Sequence, residues 1–101
     1  MEKRFKGAEH LDKMKKMCTQ VVNGEISGES VMMNIMDVTG VLINMNHWLA
    51  VECLSDHESV RFIVHMPYLS IIVAVSYDSE KDEERVRYEV VRDSEIVAGS
   101  R

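Results

Sequence analysis

The chain predicts an α+β domain. Two N-terminal helices pack on one face of an antiparallel sheet of about five strands, giving a two-layer sandwich. Three observations lead there. Up to Thr39 the apolar residues recur at steps of three and four, whereas after Gly40 they alternate, so the period drops from that of a helix to that of a strand. The expected strands are joined by short turns, too short for the crossovers that parallel pairing requires. Val60 to Tyr77 carries a single charge, Arg61, and Asp78 to Asp93 then carries eleven, which reads as apolar sheet followed by a solvated loop and a polar edge.

The elements follow in order. Residues 1–7 read as a loose tail. From Ala8 to Asn23 the apolar stripe is Leu11, Met14, Met17, Cys18, Val21 and Val22, with lysines on the other side and Gly24 placed to end the helix in a left-handed cap. Over Glu29 to Thr39 a second stripe is formed by Val31, Met32, Ile35, Met36 and Val38. Ser27 is its N-cap, Glu29 suits the positive helix end and Gly40 is its terminator. The competing reading of this segment is a strand from Val31 to Asp37. Alternation then predicts strands at 41–45, 48–54, 60–66, 71–77 and 86–91, with turns at Asn46-His47 and Ser55–Glu58 and a break at Pro67, the only proline. Residues 95–101 read as a second loose tail. The whole chain, 1–101, reads as one domain with one core.

Composition narrows the class of function. The net charge is −5; residues 1–17 are net basic, and the rest of the body is acidic. An acidic body argues against nucleic acid as the partner and favours a basic protein. No apolar run is long enough for a spanning helix, and the basic N-terminus is not followed by an apolar signal core, so a cytoplasmic location without membrane contact is expected. Two cysteines, Cys18 and Cys53, without framework spacing read as reduced, buried thiols. His47, Cys53, His57 and His65 lack the paired spacing of a zinc site. The glycines stand singly, with no phosphate-binding loop, and no nucleophile–base–orienter set is visible. No enzyme and no cofactor are therefore expected.

What remains is a surface. The face with Val60, Phe62, Val64, Ile71, Val73 and Val75 is uniform and belongs under the helices. The opposite face carries Trp48, Ile63, Ile72 and Ala74 among Arg61 and other charges. A sheet with one wet face ordinarily alternates more cleanly than this. An apolar centre, a charged rim and an aromatic anchor are interface traits. The candidate partner-binding residues are Trp48, Ile63, Ile72, Ala74 and Arg61, together with Glu80, Asp82, Glu83 and Glu84 of the acidic run. Met32, Met33 and Met36 cover more than one stripe, so one of them is expected to face outward. The function expected is a small acidic protein that occludes another protein, of the inhibitor, immunity, antitoxin or anti-defence type. The alternatives are a homodimeric structural or adaptor module and, third, a small ligand-binding domain or enzyme.

Overall fold

The computed structural model of the chain describes residues 2–40 and 48–92. Its elements are β1 (Glu2–Lys6), α1 (Glu9–Val22), α2 (Gly28–Thr39), β2 (Ala50–Ser55), β3 (Ser59–His65), β4 (Leu69–Asp78) and β5 (Glu83–Arg92). The five strands form one sheet in the order β1-β5-β4-β3-β2, and every neighbouring pair is antiparallel. Both helices pack on one face, so the two-layer α+β arrangement is the observed one.

Local chemistry explains most boundaries. The Ser27 hydroxyl accepts the Ser30 amide at 3.2 Å at the start of α2. Gly40 ends that helix at φ 74°, where a side chain at Cβ would be strained, and donates to the Met36 carbonyl at 2.7 Å. The segment is a helix, and the strand reading of Val31–Asp37 falls. The apolar stripes meet as expected except at Val22, which is 74% exposed: Leu11, Met14, Met17 and Cys18 of α1, with Val31, Met32, Ile35 and Val38 of α2, close on Val60, Phe62, Val64, Ile71, Val73, Val75 and Val86. Met33 is the methionine of α2 that faces outward, 57% exposed.

The N-terminal residues differ from expectation. Residues 2–6 are not a loose tail but the edge strand β1, paired with β5 from Glu2↔Arg87 to Lys6↔Glu83. Its alternation is hidden by charge: Phe5 packs against the core, and Lys3 on the same side reaches across to cap α2, its ammonium donating to the Thr39 carbonyl at 2.9 Å. The strand expected at 41–45 and the tail expected at 95–101 lie outside the described residues.

Candidate interaction face

The sheet registers define the face away from the helices row by row. One row runs Leu54, Arg61, Ala74, Arg87, Glu2 across all five strands. The next runs Glu52, Ile63, Ile72, Glu89, and the one beyond it Ala50, His65, Ser70, Val91. The cross-strand pair Ile63–Ile72 thus sits at the centre with Ala74 beside it, all three half-buried although no described helix lies over them. Leu54, at the β2 edge, is 65% exposed.

Charges frame this centre. A groove of about 470 Å³ has Ile72 and Ala74 as its floor and Glu2, Arg61, Arg87, Tyr88 and Glu89 as its walls. A smaller notch of about 140 Å³ lies beside it, between Glu52, Leu54, Arg61 and Ile63. Arg87 stands 4.0 Å from Glu2, and His65 bridges Glu52 at 2.5 Å and the Ser70 hydroxyl at 3.1 Å. Among the described residues no carboxylate forms an ion pair with Arg61.

One end of the face is acidic. The β2–β3 turn (Asp56, Glu58) and the β4–β5 turn (Asp78, Glu80, Asp82) are stitched together by the Tyr77 amide donating to the Glu58 carbonyl at 2.9 Å. A depression of about 390 Å³ lies between Glu58, Tyr77, Asp78, Glu80 and Arg85. The turns are internally braced. Asp56 accepts from the Ser59 hydroxyl at 2.8 Å and from the Glu58 and Ser59 amides. The Ser59 hydroxyl, followed by those amides, holds the Asp56 carboxyl below its ordinary range. Asp82, at φ 48°, accepts the Tyr77 hydroxyl at 2.7 Å, and that bond is the main reason the phenol's pKa is raised.

The candidates divide. Arg61, Ile63, Ile72 and Ala74 come together on the open face, and Glu80 and Asp82 stand exposed on the adjoining turn. Glu83 is half-buried on β5 and pairs with Arg4 at 3.4 Å. Two expectations are corrected. Trp48 is not on this face: its indole lies over Gly28 at the start of α2, because it precedes β2 and does not share that strand's alternation. Glu84 cannot touch a partner, because its side chain is 0% exposed. It faces the helices, where its carboxylate accepts the amides of His10 at 3.0 Å and Leu11 at 2.9 Å and also contacts His10 Nδ1.

Arg87, Glu89 and Glu52 were legible as residues of this face, but not as walls of a groove, since the cross-strand neighbour is set by register. Glu2 was hidden by the reading of the N-terminus as a tail. Among the described residues, His57, His65 and Cys53 do not converge: His57 is exposed in its turn, His65 pairs with Glu52, and Cys53 turns to the helix side, where its sulfur meets that of Cys18 at 2.7 Å. His47 lies outside the described residues. Compared with protein-family models, curated proteins and solved structures, the chain finds no match.

Proposed function

We propose that this chain is a small cytoplasmic protein-binding module that works by covering a partner with its open sheet face, an inhibitor or neutralising protein rather than a catalyst. The observation that carries the reading is the Ile63–Ile72 pair with Ala74, half-exposed at the centre of a face that no described element covers and edged by Arg61, Arg87, Glu52 and Glu89. Burial of such an apolar centre inside a charged rim is how protein interfaces gain affinity and register. The acidic turns at one end give the partner its character. A basic protein would be steered toward Glu58, Asp78 and Glu80 and then seat its apolar residues over Ile72.

The test is capture from the source lysate by the parent protein and by Ile63→Asp/Ile72→Asp. Both side chains point away from the core, so the variant should keep its circular dichroism and unfolding midpoint. The reading expects a specific basic protein to be captured by the parent and lost with the variant. Capture that is unchanged by the substitutions, or no capture at all, sinks it.

A second reading is favoured by the charge rows. Arg61 and Arg87 lie one row from Glu52 and Glu89. Two copies stacked face to face about a two-fold running across the strands would set Arg87 against Glu89 and Ala74 against Ile72, the self-complementarity that an isologous dimer needs. Sedimentation equilibrium separates the two: a dimer that Ile72→Asp turns into a monomer supports this version, and a monomer at all concentrations removes it.

A further inference from the structure

The two cysteines are 35 residues apart in sequence, yet their sulfurs stand 2.7 Å apart, well inside the separation at which two non-bonded sulfurs rest. Cys18 lies on the inward stripe of α1, 5% exposed. Cys53 lies on the inward face of β2, opposite Phe62, and its sulfur also approaches the Cys18 carbonyl at 3.6 Å. Both are free thiols. No other sulfur competes, since the chain has only these two cysteines. Among the described residues β2 is an edge strand hydrogen-bonded to β3 alone, and α1 packs against it more closely than α2 does.

We propose that Cys18 and Cys53 are a reversible dithiol–disulfide couple, oxidised by glutathione disulfide to a bond that staples α1 to the edge strand β2. The chemistry balances. The Cys53 thiol, the more exposed of the two, loses its proton and its sulfur attacks glutathione disulfide, giving a mixed disulfide and one glutathione thiolate. The Cys18 thiol then loses its proton, and its sulfur displaces the second glutathione from Cys53. Two protein thiols are oxidised, one glutathione disulfide is reduced, and the two protons end on the two released glutathiones.

Burial first, then the neighbouring Cys18 thiol, pushes the Cys53 pKa up to about 12. Thiolate is therefore scarce at neutral pH, and the first step is slow and accelerates with alkali. In a reducing compartment the pair stays as thiols; in an oxidising one the staple closes. Glu52 and Leu54 project from the opposite side of β2, so the staple would also fix one border of the open face. The inference stands apart from the binding role, because it concerns the helix side of that strand.

The experiment equilibrates the purified full chain in glutathione buffers from fully reduced to fully oxidised. The chain is then quenched in acid, denatured, treated with N-ethylmaleimide and weighed. The expected result is a monomer that passes from two maleimides to none in one step, lighter by two hydrogens, with a digest that links the Cys18 and Cys53 peptides. Dithiothreitol restores both thiols. The oxidised form should unfold about 10 °C or more above the reduced one, because the bond closes a long loop of the unfolded chain. Two maleimides at every glutathione ratio overturn the proposal, as do glutathione adducts without a Cys18–Cys53 link. Cys53→Ser provides a second arm: Cys18 alone, being buried, should take up no glutathione while the variant is folded, and ready uptake there counts against the ordered two-step route. The thiol count on the parent decides the couple even if that variant does not fold.

Discussion

Glu84→Gln should be among the most damaging single-atom-scale changes available to this protein. Helix α1 begins without a local cap. Ala8 has no capping side chain, and its φ −124°, ψ 26° is not the extended geometry from which an N-cap reaches forward. The free amides of His10 and Leu11 in the first turn are served from 74 and 73 residues away, by a carboxylate with no solvent contact. Glutamine can accept through one oxygen only; its amide nitrogen would face an N–H it cannot satisfy. The loss is one charge-assisted bond at about 1.5–3 kcal/mol, plus the favourable interaction of a negative charge with the helix N-terminus at about 0.3–1 kcal/mol. The sum is about 2–4 kcal/mol, or a fall in unfolding midpoint of roughly 10–25 °C for a domain of this size. Glu84→Ala leaves both amides unpaired in a dry site and should cost more. Glu83→Gln, next door but pairing only at the surface, should stay within about 0.5 kcal/mol of the parent. Urea unfolding followed by circular dichroism measures all three. If Glu84→Gln and Glu83→Gln proved equally mild, the remote cap would carry no weight and the reasoning would be refuted.

Two further outcomes follow from close contacts and from titration. Gly28→Ala would set a Cβ 2.4 Å from Trp48 Cη2, so the indole must move. The expected cost is about 1–3 kcal/mol, with red-shifted emission from the only tryptophan, and unchanged emission with unchanged stability would show the contact to be loose. The Asp56 pKa is depressed in the folded turn, so its contribution is present above the ordinary aspartate range and fades as pH falls through the lowered folded value. Ser59→Ala removes the largest cause, and the carboxyl carbon of Asp56, followed by NMR titration, should then titrate at higher pH; superimposable curves would exclude the hydroxyl as the cause.

Where an element is decided by its own residues, it was legible. Ser27 and Gly40 bracket α2 because a cap and a left-handed glycine act locally, and the inward valines of β3 and β4 announce a core face by alternation alone. What depends on a distant partner was not. β1 offers one apolar side chain, Phe5, among four charged neighbours, and it is a strand because β5 presents an open edge. Cys18 and Cys53 were each legible as inward-facing, but not as facing one another. Glu84 did leave a signal. The alternation that turns Val86 and Tyr88 toward the helices continues back to it, so one acid of the Glu80–Glu84 run had to point inward. Trp48 shows the opposite hazard: counting alternation back from Ala50, Glu52 and Leu54 put it on the open face, but the strand begins only at Ala50 and the count does not extend past its end.

The pairing of β1 with β5 has a consequence for the order in which the molecule is made. Among the described residues β1 pairs only with β5, which is synthesised after every other described strand, and the start of α1 waits for Glu84 on that same strand. Until β5 emerges, Phe5 has no neighbouring strand and the first turn of α1 has no cap. The N-terminal third therefore cannot be locked during synthesis in the usual N-to-C sequence. The described fold stays open until β5 is available, and the closing of β1 onto β5 fastens sheet and helix layer in one event.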